Sequence, residues 1–210
     1  MFVNDGVKGL SDEQDYHGGL ERPVRADARR NMDALLRAAM AVFATSGVDA
    51  PVREVAEKAG VGVGTVYRHF PQRSDLIKAV VRNEVDACAE AAAALAAEHP
   101  PGEALALWMQ RYVDFIMAKR GLAAALHSGN PAYEALPDYF ENRMTPALRS
   151  LLDAARADGA VGADVEAGEL LRAGMQLSTL AHGEDPTQTR RMMALLVDGL
   201  RYRAGTPPHA

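Results

Sequence analysis

The stretch GVGVGTVYRHF, Gly60 to Phe70, sets three glycines at alternate positions ahead of Thr65, Tyr67, Arg68 and His69. Residues of these types suit two kinds of chemistry. Glycines can clear space so that backbone amides cradle a phosphate. A hydroxyl, a phenol, a guanidinium and an imidazole on one short helix can instead touch the edges and phosphates of a nucleic acid. The phosphate cradle fails on residues and on context. A dinucleotide fingerprint needs G-x-G-x-x-G after a strand, but position 65 is Thr and the preceding REVAEKA is helical in character. A P-loop needs a lysine after its last glycine, and Gly64 is followed by Thr65 and Val66. A plain loop between bundle helices accounts for the glycines but not for the aromatic and basic residues beside Val66 and Phe70.

Spacing supports the second chemistry. Two short helices crossing steeply need a small residue where they touch, a tight turn, and apolar residues that lock them. Ala56 supplies the first, Gly60 the second, and Val55, Val61 and Val66 the third, with Ala59 also inward. The second helix of such a pair shows its outer face, here Thr65, Tyr67, Arg68 and His69, to a major groove.

The elements that must position this pair are helical throughout. Met32, Leu35, Leu36, Ala39, Met40 and Phe43 recur at three- and four-residue steps, and Gly47 follows as a stop. Short helices are predicted over Val52–Ala59 and Val63–His69, with Pro71 breaking the second. Leu76, Ile77, Val80, Val81, Val85 and Cys88 begin a longer helix closed by His99-Pro-Pro-Gly102. Further helices are predicted near Glu103–Lys119, Leu122–Ser128, Ala132–Asp158, Asp164–Ala181 and Pro186–Arg203, about nine in all. The fold class is therefore all-α. The division is a disordered tail at 1–24, a three-helix helix-turn-helix domain at 25–72, a helical body at 73–203 whose first part (73–98) is a connecting helix, and a disordered tail at 204–210.

Bulk properties narrow the function. The chain has 210 residues, 48% of them hydrophobic, and a net charge of −5. That charge is uneven: Glu21–Asn83 carries +4, and the region from Glu84 onward carries −6. A polyanion partner for the first part alone fits this pattern. No apolar run approaches a membrane span and no signal peptide opens the chain, so a cytoplasmic location is expected. Cys88 is the sole cysteine, and no histidine spacing matches a metal site, so neither metal nor cofactor is expected.

The stretch ALLRAAMAVFATSGVDAPVREVAEKAGVGVGTVYRHFPQRSDLIKAVV resembles the DNA-binding region of the TetR/AcrR family of transcriptional regulators. A helix ending in F-x-x-x-G, then the helix pair, then Y-x-H-F and a basic residue carry that resemblance, over about a quarter of the chain. It implies that Arg53 reaches a base or phosphate, and that Val63, Gly64 and Thr65 open the recognition helix against base edges. It further implies that Tyr67 and His69 meet phosphates and thymine methyls, and that Arg73 pins a phosphate. Arg68 is the candidate for sequence discrimination. Arg22, Arg25, Arg29 and Arg30 read equally as a minor-groove arm or as a solvated cluster. Gly62-Val63 and Pro51 depart from the family's Ser-Lys and threonine cap. Those departures remove a cap and a charge and shift anchoring to backbone amides and Arg73.

For the body the resemblance implies a ligand cavity and a dimer interface. Trp108, Tyr112, Phe115, His127, Met144 and Met175 are the candidate pocket residues, with His182 as a second polar handle. Met109, Ile116, Tyr139 and Phe140 are read as packing or pocket residues alike. Leu171, Gly174, Met192, Leu196 and Gly199 are the candidate interface residues. The implied protein is a homodimeric repressor that binds a pseudo-palindromic operator, is released by a small apolar or aromatic effector, and has no enzymatic activity and no membrane association. The rival readings are a sequence-tolerant structural DNA-binding protein and a small helical enzyme, although no nucleophile–base pair appears in the sequence.

Overall fold

The computed structural model describes residues 21–180 and 186–201. Among them are nine α-helical segments and no strand. In chain order these are α1 Glu21–Ser46, α2 Val52–Ala59, α3 Val63–His69, α4 Arg73–Glu98, α5 Pro101–Ala118, α6 Ala123–Leu126, α7 Leu136–Ala157, α8 Ala167–Leu180 and α9 Pro186–Gly199. Short 3-10 turns, Lys119–Leu122 and Pro131–Tyr133, join α5 to α6 and precede α7.

Helix α1 begins at Glu21 and takes in four residues that the sequence reading gave to the first tail. The rest of that tail, all of 204–210 and His182 lie outside the described residues, as do the side chains of Arg22, Arg25 and Arg29. The single helix expected over Ala132–Asp158 is instead the 3-10 turn followed by α7. Asn130 caps that turn, its Oδ1 accepting from the Ala132 amide at 2.9 Å, and the α-helix restarts with Pro137 in its first turn. His99-Pro100 links α4 and α5, and Pro101 opens α5 rather than ending the link.

The apolar stripe of α1 is buried as its periodicity requires, with Phe43 fully enclosed and only Met32 partly exposed. Enclosing one such aromatic side chain stabilises by roughly 1.5–3 kcal/mol. Gly60 ends α2 in a left-handed conformation, φ +69°. Its amide donates to the Glu57 carbonyl at 3.2 Å and the Val61 amide donates to the Ala56 carbonyl at 3.0 Å. That paired arrangement satisfies the last carbonyls of α2 and turns the chain within three residues. Gln72 and Asp75 form a reciprocal capping box at the start of α4.

Helix α4 packs on α1 near its start and on α5 and α7 farther along, so one continuous helix joins the three-helix unit to the body. The body closes around α5. Trp108 donates from Nε1 to the Cys88 carbonyl at 2.9 Å, tying α5 to α4, and Tyr112 donates from its hydroxyl to the Leu171 carbonyl at 3.0 Å, tying α5 to α8. Burial pushes the Cys88 thiol up to about 12, which leaves it an inert packing group.

Candidate DNA-recognition helix and body cavity

Helix α3 stands on a single buried anchor. Val66 belongs to the apolar core and is 1% exposed, whereas Gly62, Val63, Gly64, Tyr67, Arg68 and His69 are exposed. The exposed residues are the candidate base- and phosphate-contacting face. No side chain caps α3, and the Gly62 carbonyl accepts from the Thr65 amide at 2.9 Å. A Cβ added at Gly64 would meet nothing within 4 Å, so the mouth of this helix is open. Tyr67 is 53% exposed, an unusual position for a phenol without a partner surface.

Arg68 folds back over the start of its own helix. Its Nε donates to the Gly64 carbonyl and its Nη2 to Thr65 Oγ1, each at 3.4 Å. These long, exposed bonds hold the two candidate discriminating residues together and are readily exchanged for bonds to a base. Arg53 is exposed on α2 and pairs with Glu57 at 2.8 Å, a surface ion pair worth about 0.3–0.5 kcal/mol.

Arg73 differs from the sequence expectation. Its guanidinium turns inward: Nε donates to the Val48 carbonyl and Nη2 to the Ala50 carbonyl, with the Phe43 ring centroid 5.9 Å away. The side chain is spent on the α1–α2 loop and braces it, where the family pattern implied a phosphate contact. Carbonyls of a sharp loop lack helical partners, and a planar fork satisfies two at once.

The body holds a cavity of about 740 Å³. Val81 and Val85 from α4 line it, as do Ile116 and Lys119 at the end of α5 and Arg120, Ala123, Leu126 and His127 after it. Tyr133, Leu136, Pro137, Phe140 and Glu141 close another side, and Met175 and Ser178 of α8 complete it. His127 and Met175 are thus at the cavity as expected. Trp108, Tyr112, Phe115 and Met144 are not among its lining residues but in the core beside it. Trp108 and Tyr112 stack at 5.8 Å, Tyr112 and Phe115 at 6.2 Å, and Phe115 and Phe140 at 5.9 Å. That column carries the packing of α5 up to the cavity wall at Phe140. Large aromatic residues announce burial in a sequence but not which side of the wall they occupy.

The interface candidates divide in the same way. Leu171 is buried within the chain, and a Cβ on Gly174 would sit 2.8 Å from Met193 Cε and 3.0 Å from Tyr112 Cε1. Gly174 therefore lets α8 approach α5 and α9 inside one chain, and these two residues face inward. Met192 and Leu195 are exposed on α9, Leu196 is half-buried, and Gly199 meets open space.

Sequence reasoning missed three features. Lys119 and Gly121 gave no periodic signal, and the clamp on Asp86 joins residues more than fifty positions apart. There Tyr139 donates its hydroxyl and Arg143 its Nε to the carboxylate, both at 2.7 Å, fastening α7 to α4. Among the described residues no three His, Cys, Asp or Glu side chains gather around a common metal position, and no helix is long and apolar enough to cross a membrane.

A tight helix pair with an exposed aromatic and basic second helix, carried by a long helix into an α-helical body, defines a helix-turn-helix transcriptional regulator. Residues 35–80 match the family of bacterial regulatory proteins of the tetR type, and residues 100–202 match the C-terminal domain described as transcriptional regulator SbtR-like. The TetR transcriptional regulator SCO0520 from Streptomyces coelicolor is 38% identical, with 81% of this chain and 98% of that one covered and a TM-score of 0.72. A TetR transcription regulatory protein from Mycobacterium vanbaalenii is 35% identical, covering 86% of this chain and 100% of that one, with a TM-score of 0.66. The chain belongs to the TetR family of transcriptional regulators. An HTH-type transcriptional regulator of Staphylococcus aureus is 34% identical over 64 residues, which span 30% of this chain and only 35% of that relative's length.

Proposed function

We propose that this regulator is a ligand-released repressor, working in the cytoplasm as a homodimer on a pseudo-palindromic operator. The observation that carries the reading is one helix: α4 supplies Val81 and Val85 to the cavity wall and starts beside the recognition helix with the Arg73 brace. A ligand that displaces the cavity wall therefore acts on the element that sets the spacing of the recognition helices. A two-fold dimer requires two-fold DNA, with half-sites about one helical turn apart. The face of Met192, Leu195, Leu196 and Gly199 on α9 suits the dimer contact, with Leu171 and Gly174 no longer part of it. Leu195→Glu is expected to convert the dimer to monomer in sedimentation equilibrium; an unchanged dimer would remove α9 from the interface.

The recognition face is tested on the operator itself. Protection of one discrete upstream site, with far weaker binding to random DNA of equal length, separates a regulator from a sequence-tolerant structural protein. Arg68→Ala is expected to cost about 1–3 kcal/mol at the operator and to relax discrimination at one base position. Tyr67→Ala is expected to weaken binding with little change in base preference. Full operator affinity in both variants would overturn the assignment of α3.

A further inference from the structure

Within the body cavity, Lys119 is placed unlike every other charged group. It caps α5, is only partly exposed, and its Nζ lies 5.0 Å from the Phe115 ring centroid and 5.5 Å from that of Phe140. Among the described residues no carboxylate pairs with it and no carbonyl accepts from it. Burial holds its ammonium below the usual lysine range. Two phenyl faces offset part of the cost of an enclosed ammonium, but its three donors need acceptors that rings do not supply.

Three neighbouring polar side chains already bond to backbone carbonyls within the chain. Arg120 donates from Nη2 to the Ser178 carbonyl at 2.8 Å, and Ser178 donates from Oγ to the Gly174 carbonyl at 2.8 Å. His127 Nδ1 bonds the Ala123 carbonyl at 2.8 Å. Glu141, the one acid of the lining, directs Oε1 toward the start of α8, 3.8 Å from where a Cβ on Gly168 would sit. Among the described residues Lys119 is therefore a donor of the lining that lacks an acceptor, set among the apolar walls of Val81, Val85, Leu136 and Phe140.

Resting on the reading of the body as an effector domain, we infer that the effector is an apolar carboxylic acid whose carboxylate pairs with Lys119. A carboxylate supplies the acceptors that the ammonium lacks, and its apolar remainder occupies a volume of about 740 Å³, within the range of small-molecule sites. Neutral analogues leave the ammonium unpaired on binding, and cationic ones oppose it.

Three probes of equal chain length separate these cases: decanoate, decanol and decylammonium, titrated into the full-length dimer by calorimetry without DNA. Decanoate is expected to bind about tenfold or more tighter than decanol, with decylammonium weakest. Lys119→Met keeps the side-chain volume and is expected to bring decanoate to within about twofold of decanol, while Lys119→Arg retains the preference. Equal binding of acid and alcohol, or a preference unchanged in Lys119→Met, overturns the carboxylate assignment and leaves the effector domain standing. Tighter binding of decylammonium would transfer the polar role to Glu141 and overturn the assignment too. Absence of binding by all three probes overturns the assignment together with the effector reading that it rests on.

Discussion

Arg73→Ala is expected to lower thermal stability and operator affinity together while leaving the salt dependence of DNA binding unchanged. The guanidinium serves two loop carbonyls, Val48 and Ala50, for which no other donor is seen among the described residues. Charge-assisted bonds of this kind contribute about 1.5–3 kcal/mol each when their loss strands a partner, and half exposure of the site reduces that. A net loss of about 2–3 kcal/mol corresponds to roughly 5–10 °C in a chain of this size. Operator binding falls because the α1–α2 loop fixes the angle at which α2 and α3 meet the rest of the domain. Arg73→Lys is expected to recover only part of the loss, since a single ammonium does not span both carbonyls. The competing role, a phosphate anchor, makes the opposite prediction: melting temperature preserved and the salt slope lowered by about one. Thermal melts beside binding isotherms at several salt concentrations decide between them.

Gly121→Ala is expected to reduce operator affinity at least about tenfold and to uncouple it from the cavity. Gly121 lies in the 3-10 turn between Lys119 and the residues that line the cavity after it. A Cβ there would run into the Phe43 carbonyl oxygen and stand 2.9 Å from the Ala44 Cα, all backbone atoms of α1. Backbone at that distance does not yield as a side-chain tip would, so α1 must move away from the turn. Overpacking of this kind costs about 1–3 kcal/mol, which leaves the chain folded but the three-helix unit displaced. The same contact is expected to act in the other direction when the cavity fills. Coupling between sites is reciprocal, so operator DNA is expected to weaken effector binding in the unsubstituted protein by the factor with which effector weakens operator binding. In Gly121→Ala that mutual factor is expected to shrink toward one, read by decanoate titration with and without operator and by circular dichroism to confirm folding. Full affinity and full coupling in the variant would show that α4 alone carries the signal.

The helix-turn-helix was legible because its determinants are local. Gly60 must adopt positive φ, Ala56 must be small, and Val55, Val61 and Val66 must be apolar within fifteen positions, so a linear pattern suffices to state the geometry. The apolar stripe of α1 was legible for the same reason, since period alone fixes which face is buried. The break ahead of α7 was not, because Pro131 and Pro137 each suit a helix start and only the Asn130 cap shows that two starts are used. Burial alone was legible for Trp108, Tyr112, Phe115 and Met144, and packing then placed them in the core rather than at the cavity.

What the sequence determined by itself is the all-helical class, the helix-turn-helix and its family, each written in residues close along the chain. What only the tertiary structure decided is direction. It turned Arg73 from DNA to the α1–α2 loop, Gly174 from a partner chain to α5 and α9, and Lys119 into an apolar cavity. The physical reason is that a side chain's type states which bonds it can make, while the partners that complete those bonds are brought to it by chain segments distant in sequence.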